Sequence, residues 1–244
     1  MLIHRLLLGI CLVLFSSFSD AGVTIERSRV IFFQDSFKKE INIINHNDYS
    51  VMVRVWVGDA LESTISNTNA KLLIDNPLFE MKPKEIKRIS LINIDQEHKL
   101  NRDIETVYYL NIEEQGKITD RFQSDNAMAI SMQTQYKIFI RPVVVEQLND
   151  SLKRELKVLL TGKQGVNYLL VSNDTPYYIT VADSNFILKN EVCSGGPDLF
   201  NVMLEPKGVR EIELSPELDV DCVVGVKYLT IDDDGGYESN VVSF

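Results

Sequence analysis

The sequence predicts an all-β protein built as two immunoglobulin-like β-sandwich domains in series. Three observations predict it. Apolar and polar residues alternate with a period of two in segment after segment, which is the strand repeat, while 3.6-residue periodicity is scarce. Turn-forming residues separate those segments at short intervals. After removal of an N-terminal leader, the 244-residue chain leaves enough for two domains of roughly 110 residues, the size of an immunoglobulin-type sandwich.

The leader comes first in the chain. His4 and Arg5 precede an apolar run over 6–15, followed by Ser16, Ser17, Phe18, Ser19, Asp20 and Ala21. A short basic start, an apolar stretch of about ten residues and small residues at −3 and −1 describe a secretory signal peptide, 1–21, cleaved after Ala21. Such a run is too short to span a bilayer, which takes about 20 apolar residues, and no later stretch qualifies. The expectation is a soluble exported protein beginning near Gly22, with no membrane insertion.

The first domain is expected over 22–147, with strands at 25–33, 39–45, 51–57, 85–91, 106–112 and 127–140. Val51, Val53, Val55 and Val57 make one clean face, with Met52, Arg54 and Trp56 on the other. Trp56 suits the middle of a sandwich core, where one indole buries a large area. A short polar helix over 146–153 marks the boundary. The second domain, 148–244, carries strands at 155–160, 168–172, 177–183, 209–214 and 223–231. Asp232-Asp-Asp-Gly-Gly236 then reads as a hairpin turn before a last strand over 237–244.

The longest strand is the most telling. In Asn126-Ala-Met-Ala-Ile-Ser-Met-Gln-Thr-Gln-Tyr-Lys-Ile-Phe-Ile-Arg-Pro142, Met128, Ile130 and Met132 alternate on one face. At a sheet edge this strand would offer free backbone groups and a row of apolar side chains to another chain. Lys137 lies an odd number of residues from Met132. Either a bulge re-aims it, or cation and apolar row meet different surfaces of a partner.

Charge and cysteines narrow the class further. The net charge of −10 argues against nucleic acid or an anionic membrane as partner. Cys11 leaves with the leader, so Cys193 and Cys222 remain and are expected to pair in an oxidising compartment. Closing a loop of that length contributes about 3–4 kcal/mol on the chain-entropy view. No catalytic constellation is visible: His46 and His98 stand alone in polar turns, and there is neither a zinc spacing nor a phosphate loop. The Asp232–Asp234 run lacks the alternating ligands and terminal Glu of a calcium loop. Asn149 and Asn173 head glycosylation sequons, a pattern common by chance. The reading is a non-enzyme with no cofactor and no metal.

Several segments together resemble the periplasmic pilus chaperones of the chaperone–usher family. Gly22-Val-Thr-Ile-Glu-Arg-Ser-Arg-Val-Ile-Phe32 resembles that family's first strand, with its arginine at Arg29. Val55-Trp-Val-Gly-Asp59 is similar to its third strand. Asn76-Pro-Leu-Phe-Glu-Met-Lys-Pro83 with Lys87-Arg-Ile89 resembles "PPlfRlxP…iRI". Asp103-Ile-Glu-Thr-Val-Tyr-Tyr-Leu-Asn-Ile112 is similar to "DrESlfwlNi", and Tyr136-Lys-Ile-Phe-Ile-Arg-Pro142 to "iKLFyRP". In the second domain Val171-Ser-Asn-Asp-Thr-Pro-Tyr-Tyr-Ile-Thr180 resembles "vxNpTPYyvT", and Ile231-Asp-Asp-Asp-Gly-Gly236 resembles "iNDyGg". The matches run in the family's order over nearly the whole mature chain. Glu80 departs from the usual arginine, Asn76-Pro77 from the usual two prolines, and Asp174 from a usual proline. The loop over 113–126 is short and lacks the familiar "iPP".

The resemblance implies two immunoglobulin-like domains with a cleft between them. It also implies a periplasmic chaperone that lends a strand to pilus or fimbrial subunits and passes them to an outer-membrane usher. Arg29 and Lys137 match the cleft cations that grip a subunit's C-terminal carboxylate, with Arg27 competing for the place of Arg29. Met128, Ile130 and Met132 match the donated apolar side chains. Glu105, Arg141 and Asp233 match a buried charge cluster between the domains. An exposed donor edge would also allow the free protein to pair with itself. The other reading is an exported two-domain adhesin or structural pilus component.

Overall fold

The computed structural model describes residues 22–94, 103–116, 130–147, 156–163, 165–189 and 202–244. The first half contains β1 (Val23–Ile25), β2 (Arg29–Phe33), β3 (Lys38–Asn45), β4 (Val51–Gly58), β5 (Leu72–Ile74), β6 (Leu78–Met81), β7 (Ile86–Asn93), β8 (Thr106–Gly116) and β9 (Ser131–Arg141). They form two facing sheets, β1-β3-β7-β5 and β2-β9-β8-β4-β6. Between these sheets lies one core that includes Phe32, Ile43, Val53, Val55, Leu91, Leu110, Ile112, Ile138 and Ile140. A short helix, α1 (Val143–Gln147), follows. The second half contains β10 (Lys157–Lys163), β11 (Val166–Ser172), β12 (Ile179–Leu188), β13 (Val202–Leu204), β14 (Val209–Glu213), β15 (Val223–Ile231) and β16 (Tyr237–Ser243). Its sheets, β10-β11-β14 and β13-β12-β15-β16, enclose a second core around Leu169, Val171, Val181, Val226 and Tyr228. The all-β, two-sandwich expectation holds.

The alternation in β4 works as expected: Val51, Val53, Val55 and Val57 are all buried. Trp56 is a correction. It lies on the opposite face of β4, half-buried, where its indole N–H donates to the Ser63 carbonyl at 3.2 Å. The valine face fills the core and leaves the indole to cover the 59–69 loop. The strand expected over 25–33 is also two strands: β1 pairs with β3 in one sheet and β2 with β9 in the other. Residues 26–28 carry the chain across the sandwich. Part of the expected 113–126 loop belongs to β8, which runs on to Gly116.

Helix α1 begins three residues earlier than expected, directly after Pro142, whose carbonyl accepts from Val145 N–H at 3.0 Å. Proline suits a helix start because the N–H it lacks would be unpaired there. The rest of the expected helix lies outside the described residues. The Asp232–Gly236 turn forms as expected, with Asp232 Oδ1 accepting from the N–H groups of Asp234 and Gly236. Gly235 has φ of 89°, a backbone that favours glycine. Asn173 is fully buried and its side-chain amide donates to the carbonyls of Tyr177 and Glu205, so its sequon is structural.

Candidate functional site

Strand β9 is covered unevenly. Along 131–140 it pairs antiparallel with β8 in one continuous register, from Ser131 opposite Gln115 to Ile140 opposite Thr106. On its other side β2 runs parallel and pairs only with 137–141. Among the described residues, 131–136 of β9 therefore form an open sheet edge. Ile130 is 69 % exposed and Met132 is 48 % exposed beside that edge. Met128 lies outside the described residues.

The unbroken register decides the question of faces. Ile138 and Ile140 are buried in the core and Tyr136 packs against it, so even-numbered side chains of β9 point inward. Ile130 and Met132 share that parity and continue the inward face beyond the core's edge. Odd-numbered residues point the other way. Gln133 and Gln135 donate to Asn111 Oδ1 at 3.0 and 2.6 Å, and Phe139 meets the Tyr178 ring at 5.9 Å between centroids. Lys137 belongs to this outer face, so no bulge re-aims it.

The open edge ends at a pair of cations. Lys137 stands opposite Arg29 of β2 on one side and opposite Tyr109 of β8 on the other. Arg29 is buried, lies 5.7 Å from the Phe139 ring centre and donates from Nη1 to the Ile231 carbonyl of the second domain at 3.0 Å. Burial, and then the charge of Arg29, push the Lys137 ammonium below its ordinary range. Among the described residues no carboxylate pairs with Lys137. A buried guanidinium and a partly desolvated ammonium thus occupy neighbouring register positions, an arrangement whose like-charge cost an anion would relieve. Arg27 is turned elsewhere, in an exposed ion pair with Asp234. Tyr109 joins this row without having been singled out in the sequence. Burial and the nearby Glu205 raise the pKa of its hydroxyl.

Behind the row, Glu105, Arg141 and Asp233 meet as a connected cluster. Arg141 Nε and Nη2 each reach Glu105 Oε1 at 2.7 Å, while Nη1 and Nη2 donate to Asp233 at 2.7 and 3.0 Å. The Arg141 and Glu105 side chains are each 2 % exposed. Burial alone would lower the Arg141 pKa, but the bonds to Asp233 and the charge of Glu105 raise it instead. Glu105 also accepts from Tyr178 N–H at 2.9 Å, and its own N–H donates to the Pro176 carbonyl. Tyr177 Oη completes the junction by donating to the Val145 carbonyl at 2.7 Å. Cys222 is disulfide-bonded, and Cys193 lies outside the described residues.

Residues 22–146 match the family described as pili and flagellar-assembly chaperone, PapD N-terminal domain, and 151–241 match the pili assembly chaperone PapD, C-terminal domain. The chain belongs to the pili assembly chaperones. This chaperone is 29 % identical over 231 residues to the probable fimbrial chaperone LpfB of Escherichia coli O157:H7, covering 93 % of this chain and 90 % of LpfB. Its fold matches the crystal structure of the YadV chaperone with a TM-score of 0.69 at 20 % identity, over 91 % of this chain and 99 % of that one. It also matches SafB chaperone in complex with the SafA pilin of Salmonella enterica, with a TM-score of 0.67 at 18 % identity, over 93 % and 99 % of the chains. The family consists of periplasmic chaperones rather than enzymes.

Proposed function

We propose that this chaperone holds a pilus subunit by adding its 131–136 edge to the subunit's incomplete sheet and by gripping the subunit's C-terminal carboxylate between Arg29 and Lys137. The observation that carries the reading is their juxtaposition: the edge of β9 that no described strand pairs stops where the two cations begin. A strand laid along 131–136 runs in line with β2. If its C-terminus abuts Arg29, it lies parallel to β9, as β2 does. Backbone bonds then supply affinity, and the carboxylate sets the register. That SafB was solved with a pilin supports the choice of partner.

In this arrangement Met128, Ile130 and Met132 enter the subunit's apolar groove from the inward face, while Lys137 works from the other. A one-residue slip would turn all three out of the groove, so the carboxylate grip acts as a ruler. Glu105, Arg141 and Asp233 hold the second domain behind the cations. We further infer cleavage after Ala21 on export, a Cys193–Cys222 bond, a domain boundary near 147 and 148, delivery to an outer-membrane usher, and self-pairing through the same edge when no subunit is bound.

Ile130→Asp tests the donated edge. Losing one buried aliphatic side chain costs about 1.5–3 kcal/mol, or roughly 10- to 150-fold in affinity, before the cost of burying a charge. Because Ile130 is exposed in the free protein, thermal stability should hardly change. Co-purification of tagged subunit from the periplasm reads the result. Wild-type recovery of subunit would show that this edge is not the one used.

A further inference from the structure

A second buried charge lies at the far end of the donor edge, outside the machinery described above. Glu114 of β8 is only 9 % exposed, and its Oε2 has no hydrogen-bond partner among the described residues. The carboxylate sits on the inward face of β8, directly opposite Met132 of β9. Beside it is Gly22, the first residue expected after cleavage. A Cβ built on Gly22 would lie 3.6 Å from Glu114 Oε1 and 3.1 Å from Met132 Cε. Gly22 N already donates to Asn47 Oδ1 at 3.0 Å in a buried bond, and its carbonyl accepts from His46 N–H at 2.9 Å. With φ of 103° and contacts on both sides, position 22 is shaped for glycine.

We propose that Asn47 and Glu114 form a docking site for the chaperone's own α-ammonium group, completed only when signal cleavage leaves Gly22 as the first residue. The proposal rests on the reading that the leader is removed after Ala21. An amide at Gly22 offers this site one N–H and no charge. An ammonium at the same place offers three N–H donors and the positive charge that the Glu114 carboxylate lacks. The surroundings agree. With no cation present, burial raises the Glu114 pKa, against the Val23 N–H and the Asn47 side chain, which lower it. The other titratable groups nearby are Tyr136, pushed up by burial and then by Glu114, and His46, whose Nε2 bonds the Thr24 hydroxyl at 3.0 Å.

The consequence is local and functional. The ion pair pins β1 beneath Met132, so processing firms the base of the strand that a subunit must use. Removing the leader is then part of assembling the donor edge.

The test uses the full mature protein. Intact mass of chaperone exported with its own leader fixes the natural first residue, expected to be Gly22. Chains released from a tag in an oxidising compartment, beginning either at Gly22 or with one extra serine, isolate the ammonium's position. In the Gly22 chain the α-amine, titrated by the pH dependence of its acylation, should have a pKa at least one unit above the ordinary 7.7–8.0. It should return to that range with the extra serine and in Glu114→Gln. Denaturant unfolding should show the Gly22 chain favoured over the serine-extended chain by about tenfold in equilibrium constant, a difference that Glu114→Gln removes. A natural start elsewhere overturns the proposal through its premise. A start at Gly22 with an ordinary α-amine pKa, or one unaffected by Glu114→Gln, overturns the docking site and leaves the cleavage reading standing.

Discussion

Lys137→Met should abolish capture of a pilus subunit while leaving the free chaperone as stable as the wild type, or more so. The two halves of this result have one cause. Lys137 is partly desolvated and lies against Arg29, with no carboxylate paired to it among the described residues, so its charge is a cost to the empty protein. Methionine keeps the length and apolar stem of lysine and removes that charge. A charge-assisted bond to a carboxylate is worth about 1.5–3 kcal/mol, roughly 10- to 150-fold in affinity, and its loss also frees the register of the added strand. Thermal unfolding of the purified variant and subunit recovery from the periplasm measure the two effects separately. A variant that unfolds early and fails to bind would mean that Lys137 is a structural residue.

Arg141→Ala should be the most destabilising single change in the cleft. It takes the Arg141 guanidinium away from Glu105, whose side chain is 2 % exposed, and removes both bonds from Arg141 to Asp233. Breaking a buried pair from one side costs about 3–5 kcal/mol. The loss falls on the junction between the sandwiches, because Glu105 also holds the Tyr178 N–H and Asp233 belongs to the turn before β16. Denaturant unfolding should show a large drop in midpoint, or the separate melting of two units. Glu105→Gln keeps a neutral acceptor for the Tyr178 N–H and should cost clearly less. Equal losses from both variants would place the effect in packing rather than charge.

These expectations draw on different depths of sequence information. Strand period and the run of valines at 51, 53, 55 and 57 were enough to locate β4 and its buried face, because a period-two pattern maps directly onto a pleated sheet. The cluster of Glu105, Arg141 and Asp233 was legible only through resemblance; nothing in their spacing brings residues this far apart together. What stayed hidden was what depends on cross-strand register. Tyr109 joins Arg29 and Lys137 only because β8, β9 and β2 align in one row. Glu114 becomes notable only once it is seen buried opposite Met132 and beside Gly22. The puzzle of Lys137's parity likewise yields to the continuous β8–β9 pairing. Trp56 departs from the core position its size suggests because the valine parity of β4 already fills that face. The break at 26–28 has a signal in the sequence, the polar run Glu26-Arg27-Ser28 that interrupts the apolar alternation, but strand on both sides of it reads as one continuous element.

Hydrogen exchange on a 1:1 complex with a pilus subunit, compared with the free chaperone, tests the central claim most directly. The account predicts new protection of backbone amides concentrated in 131–136 of β9, and no such protection when subunit is mixed with the Lys137→Met variant. Protection appearing on another edge, such as β16, with 131–136 exchanging as in the free protein, would contradict it.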